Sequence, residues 1–256
     1  MRKAIAVYVC ALVVTLGMAG SAAAQQQPAE VTRVYYVTPK AGMEMQFEDA
    51  VKKHSAWHAQ RKDTWTWNVR FNETGNHTGE YLFITPGHQW KDFDNPPISS
   101  QEDGEHFVQT VQPYVASWSS AILVTRRDLT RASAPTQFPS LSVVIYFHVR
   151  YGQNGKFVDA MRQIREALDK TNAPAQESWF QMVASGRNAT FILSLPRENW
   201  AAFQGVGGPS NRARVEEVFG QTRADAIYKA LEESVAFTEA KVTMARPDLS
   251  YTPPSR

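Results

Sequence analysis

The sequence predicts an α+β protein built from two tandem β-α-β-β-α-β units, and three observations carry that reading. Residues recur in register 110 positions apart: Tyr36 with Tyr146, Gly42 with Gly152, Phe47 with Phe157, Asp49-Ala50 with Asp159-Ala160, and Pro86, Trp90 and Phe93 with Pro196, Trp200 and Phe203. Toward the end of each copy the offset grows to 120, where Arg126, Asp128 and Leu129 match Arg246, Asp248 and Leu249. Both copies also run through the same order of strand-like and helix-like periodicities, the mark of an internal duplication.

The elements follow in order. TRVYYVT (32–38) and SVVIYFHV (142–149) are rich in β-branched and aromatic residues, so each opens its copy as a strand. A glycine-containing turn leads into helices over about 43–60 and 154–170. TWTWNVRF (64–71) alternates Trp65, Trp67, Val69 and Phe71 against Thr64, Thr66, Asn68 and Arg70, which predicts a half-buried strand. The turn cluster NETGNHTG precedes a third strand, EYLFIT (80–85). SWFQMVA, SGRN and TFILSL are the counterparts in the second copy. PGHQWKDF (86–93) places Pro at the entry of a short helix, where its missing N–H does no harm. Trp90 and Trp200, with Phe93 and Phe203, read as packing anchors that close each copy. Further helices are expected over about 105–117 and 211–236, then last strands AILVTR and AKVTMAR.

That element order is the ferredoxin-like unit. The opening strands are apolar on both faces: Val143, Ile145 and Phe147 on one side, Val144, Tyr146 and His148 on the other. Both faces therefore need cover, which predicts that the two sheets pack together. Over about residues 31–250 the sequence resembles the dimeric α/β-barrel superfamily, fused so that one chain supplies both halves. The resemblance implies an intramolecular α/β barrel. It also implies a range of roles, from cofactor-free monooxygenases to haem-using enzymes, among which fold alone does not choose. The expected organisation is a leader at 1–24, a first repeat at 31–130, a linker at 131–140 (containing APTQFPS), a second repeat at 141–250 and a tail at 251–256.

The leader is expected from Arg2-Lys3, an apolar run to about Gly20 and the small-x-small pair Ala22 and Ala24, which together predict an exported, periplasmic or secreted protein. The only cysteine, Cys10, lies inside it. A mature chain would then rest on its apolar core without disulfides. Removing Arg2 and Lys3 takes the 27 basic residues to 25, equal to the 25 acidic ones. A balanced charge argues against nucleic acid as a partner, and no later apolar stretch has the length of a membrane span.

The duplication supplies its own control for locating a site. The second copy carries Phe157, Met161, Ile164 and Leu168 along one helix face, and the first has Phe47, Val51, His54 and His58 there. Two apolar positions have become histidines four apart, able to converge on one metal ion or ligand group, with Trp57 beside them where the second copy has Ala167. A metal site needs a third ligand, and the sequence offers His88, His106, His148 and Glu44 without placing any of them, so no metal is assigned. A second candidate site is the space between the sheets, where Tyr36, Tyr146, Thr38 and His148 would form a polar patch in an apolar, ligand-sized cavity. SSQEDGEH (99–106) reads as a solvated acidic loop, and GVGGPS (205–210) as a mobile loop without the lysine of a phosphate loop. No cofactor is identified. The expected function is binding of a small, largely apolar ligand in the barrel. An oxidoreductase using His54, His58 or His148 is the alternative, and a non-catalytic interaction protein the third reading.

Overall fold

Strand β1 (Val31–Pro39) has two apolar faces, and that property organises the molecule. Val34 and Tyr36 pack with Leu82, Ala121, Leu123, Tyr146 and Ile192 in one cluster, while Tyr35 and Val37 pack with Phe47, Val51 and Val111 in another. The first cluster is the inside of a barrel and the second lies between the sheet and its helices. These relations come from a computed structural model that describes residues 30–131, 139–174, 176–184, 190–204 and 208–254. The leader expected at 1–24, most of the linker expected at 131–140, and residues 205–207 of the glycine-rich stretch lie outside the described residues.

Helix α1 (Glu44–Gln60) follows β1, then strands β2 (Asn68–Asn72) and β3 (Tyr81–His88), helix α2 (Ser100–Thr110) and strand β4 (Val115–Thr125). The chain continues through β5 (Leu141–Val149), α3 (Asn154–Lys170), β6 (Ser178–Ala184), β7 (Thr190–Arg197), helices α4 (Asn211–Phe219) and α5 (Gln221–Ser234), and β8 (Val235–Ala245). The eight strands form one closed antiparallel barrel in the order β1-β3-β2-β8-β5-β7-β6-β4. The expectation of two packed sheets is thus realised by edge pairing: β2 bonds to β8 through Phe71↔Met244, and β4 to β6 through Leu123↔Met182. Among the described residues closure leaves no free strand edge, and the five α-helices lie outside. Among the described residues no helix is long and apolar enough to cross a membrane.

Several local expectations are corrected. The strand predicted over 64–71 begins only at Asn68, because Asp63 accepts the Trp65 backbone N–H and the Trp67 indole N–H, which draws that segment off the ladder; Trp67 instead bridges to Tyr251. Pro86 ends up within β3, and the short 3₁₀ turn starts later, at Trp90. SSQEDGEH is not a solvated loop but most of α2, started by Ser99, whose hydroxyl accepts the Glu102 N–H. The helix expected to run on to 117 stops at Thr110, and the one expected over 211–236 is broken at Gly220, whose φ of +77° suits glycine. Trp90 and Trp200 are not anchors, since each is 52% exposed. In the first half the anchoring ring is Phe93, packed edge-on against Trp65 and His88.

Candidate functional site

The site begins with the helical repeat of α1. His54 and His58 are one turn apart and present their rings to each other nearly at right angles, with centroids 4.7 Å apart. Helix α2 lies across them and adds Asp103. His54 Nε2 and His58 Nε2 are 3.3 Å apart, and Asp103 Oδ1 lies 3.2 Å from the first and 3.4 Å from the second. Oδ1 is buried and accepts no well-directed hydrogen bond. Three electron-rich atoms this close repel one another unless a proton or a metal ion sits among them. The triangle has the shape of a metal face: bonds of about 2.0–2.1 Å in a tetrahedral site put the ligand atoms about 3.3 Å apart. His54, His58 and Asp103 could hold one divalent ion.

The surroundings orient the His58 imidazole. Its Nδ1 donates to Asp63 Oδ2 at 2.8 Å, which turns Nε2 toward the triangle. Asp63 is itself held by Trp65 N at 2.9 Å and Trp67 Nε1 at 3.0 Å, and it is only 3% exposed. His54 Nδ1 lies 2.7 Å from Nδ1 of His106, one turn along α2 from Asp103. Trp57 stacks on His106 with centroids 4.4 Å apart, and Arg61 sits over the outer face of Trp57. Arg61 also pairs with Glu102, which ties α1 to α2 above the cluster.

The electrostatics favour a proton on His58 when no metal ion is bound, one that a metal would have to displace. Burial would lower the His58 pKa, but hydrogen bonds to Asp103 and Asp63 outweigh it and bring the group to about 9. Burial alone would raise Asp103, yet the two histidines hold its carboxyl well below the usual range. His106 is pushed down by burial and by the neighbouring His54 and His58, which favours its neutral form.

Beside the cluster is a cavity of about 310 Å³ between the outer face of β1–β3 and helices α1 and α2. Tyr35, Trp65, Trp67, Phe83, Phe107 and Trp118 supply most of its wall. It lies on the helix side of the sheet. The ligand space expected between the sheets is instead packed: Tyr36 and Tyr146 are part of the barrel-core cluster, and burial raises both phenols, Tyr146 to about 12. His148 stacks on Phe237 and contacts Glu239 at 3.1 Å, beside neither the histidine pair nor the cavity.

The structure therefore brings together His54, His58 and Trp57, and separately Tyr36 and Tyr146. Of the third ligands considered from sequence, His106 supports His54 through its Nδ1. His88 bonds to Thr85 and Glu44 to the turn at Gly42. Sequence reasoning missed Asp103, Asp63 and Arg33. One signal for Asp103 was available: Ser99 preceding Glu102 by three residues marks a helix start, and a helix there puts Asp103 and His106 on one face.

No protein-family model matches the chain, and no curated protein matches it. Solved structures do. An anthrone oxidase-like protein aligns at TM-score 0.55 with 10% identity, over 90% of this chain and 95% of its own. A candidate monooxygenase from Lactobacillus acidophilus aligns at TM-score 0.51 with 12% identity, over 88% and 97%. A mutant chlorite dismutase from Candidatus Nitrospira defluvii aligns at TM-score 0.51 with 9% identity, over 85% and 92%. At these identities the likeness shows the fold alone, an eight-stranded antiparallel barrel flanked by helices.

Proposed function

We propose that the protein is an oxidoreductase with a mononuclear divalent-metal centre at His54, His58 and Asp103, acting on a small, largely apolar molecule held in the adjoining cavity. The observation that carries this is the triangle of two imidazole nitrogens and one carboxylate oxygen with sides of 3.2, 3.3 and 3.4 Å. Two histidines and one carboxylate on one face leave the remaining positions of a metal open, the arrangement that suits non-haem iron and oxygen chemistry. The redox class draws support from the fold neighbours, described as an anthrone oxidase-like protein, a monooxygenase candidate and a chlorite dismutase. A haem does not fit. The cavity of about 310 Å³ is at the small end for a ligand site.

One observation favours a second reading. The triangle's sides match a tetrahedral zinc site, in which a fourth, open position would hold an activated water for hydrolysis. Metal identity separates the two. The test is elemental analysis of protein purified without chelator or affinity histidines, beside Asp103→Asn. Iron bound stoichiometrically and lost in the variant supports the oxidoreductase, and zinc supports the hydrolytic reading. If neither metal binds wild-type protein, even when added, the metal centre is wrong.

The helices and strands of the two halves recur at the sequence offsets, α1 as α3 and β4 as β8. We attribute this to duplication of one ferredoxin-like unit, and export to the leader pattern at 1–24.

A further inference from the structure

One guanidinium in the cavity wall forms no ion pair among the described residues. Arg33 projects from β1 on the same face as Tyr35 and lines the cavity, the only lysine or arginine to do so among the described residues. Its Nε is buried and has no hydrogen-bond partner among the described residues. The guanidinium lies over the rings of Tyr35 and Phe93, 5.4 Å from each centroid. The two acids in the cavity wall are already engaged, Asp63 by His58 and two tryptophans, Asp103 by the histidine pair. Aromatic faces soften the cost of burying a guanidinium but supply no acceptor for its N–H groups. Arg33 is half-buried, and leaving its buried Nε–H without an acceptor is unfavourable. A planar fork of donors in such a place matches a carboxylate, which it can hold through two parallel bonds.

We propose that the cavity's ligand is a small aromatic carboxylate, its carboxylate on Arg33 and its ring against the walls formed by Tyr35, Trp65, Trp67 and Phe83. This rests on the cavity being the substrate site of the proposed function, and it names the substrate class: an apolar ring bearing one anionic group. His54, His58 and Asp103 line the same cavity, so a ring anchored at Arg33 would share that space with the residues that would hold the metal.

Three tryptophans in the wall provide the readout. Benzoate and phenylacetate are titrated against intrinsic fluorescence, each beside its neutral amide, with metal-free and zinc-loaded protein. The expected result is that each carboxylate binds at least about tenfold more tightly than its amide, the worth of a charged hydrogen bond. That preference should appear with and without zinc. Arg33→Met should abolish it and leave zinc affinity unchanged. Arg33→Lys, which keeps the charge without the fork, should keep part of it, and melting curves establish that each variant is folded. Equal binding of acid and amide by wild-type protein overturns the proposal, as does a preference that survives in folded Arg33→Met. A preference seen only with zinc places the carboxylate on the metal and also overturns it. Failure of both iron and zinc to bind, with the Arg33-dependent preference intact, would refute the metal centre and leave the anion site standing.

Discussion

Asp63→Asn tests whether His58 is built as a metal ligand. The carboxylate takes the His58 Nδ1–H and the Trp67 indole N–H on Oδ2, and the Trp65 N–H on Oδ1. An asparagine of the same shape keeps one acceptor. Oriented to retain the Trp65 bond, it points an NH₂ at two donors. The imidazole then loses its anionic partner, its Nε2 becomes less basic, and the ring is free to take the other tautomer. Losing such a carboxylate partner typically costs ten- to a hundredfold in metal affinity, about 1.4–2.7 kcal/mol. Stability should fall by about 1–3 kcal/mol, because Asp63 is buried and two donors there lose their acceptor. The assay is zinc or cobalt titration in competition with a chelator, with a melting curve on the same samples. A folded Asp63→Asn protein with metal affinity within about twofold of wild type would refute the reasoning, since the hydrogen bond would then serve packing alone.

Three further outcomes follow from the packing. Trp179→Ala should cost about 3–5 kcal/mol because this ring is 1% exposed, whereas Trp90→Ala, at 52% exposure, should cost well under about 1 kcal/mol by chemical denaturation. Tyr36→Phe removes the hydroxyl hydrogen bond to Tyr146 in the barrel core and should cost about 1 kcal/mol, while metal and carboxylate binding stay unchanged by titration. The Asp128 pKa is lowered to about 2, chiefly by its hydrogen bonds from Arg126 and then from Arg162, against 3.8 unperturbed. A depressed carboxylate stabilises the fold above about pH 4, and that contribution is lost as pH falls toward 2. Asp128→Asn should flatten this part of the pH–stability curve by about 1 kcal/mol, after allowance for screening at a partly exposed site.

The elements whose register is carried by repetition were legible. Helices α1 and α3 have bounds 110 residues apart, as the recurring Phe47/Phe157 and Asp49/Asp159 predict, and the last strands follow at 120. What failed was the inference that the recurring tryptophans are buried. Trp90 and Trp200 recur because each starts the same 3₁₀ turn, and that turn sits at the surface. The histidine pair was visible because the second half supplies the apolar reference at the same helical positions. Asp103 was hidden for a different reason. Its partners lie 45 and 49 residues away on another helix, and only the tertiary crossing of α1 and α2 closes the triangle. Arg33 was missed because strand alternation gives the face of a residue but not whether its charge finds a partner.

The asymmetry between the halves accounts for the cavity in the first of them. In the second half α3 is covered by two helices, and Ile164 and Leu168 are locked with Val215, Ala224 and Ile227 into a continuous apolar cluster. The additional residues after Phe203 build that second cover. In the first half the single helix α2, 11 residues long, crosses α1 and buries no side chain fully. The space this leaves is the cavity, and the positions of Ile164 and Leu168 are taken by His54 and His58. Installing the second half's residues, His54→Ile with His58→Leu, would not simply restore a core. It would strip Asp63 and Asp103 of their imidazole partners in a space with no helix to fill it, and an uncompensated buried carboxylate costs several kcal/mol. The histidines and the missing cover are therefore one change. A fold that packs its sheet face in one half opens it in the other, and places there ionisable groups that an unopened core could not hold.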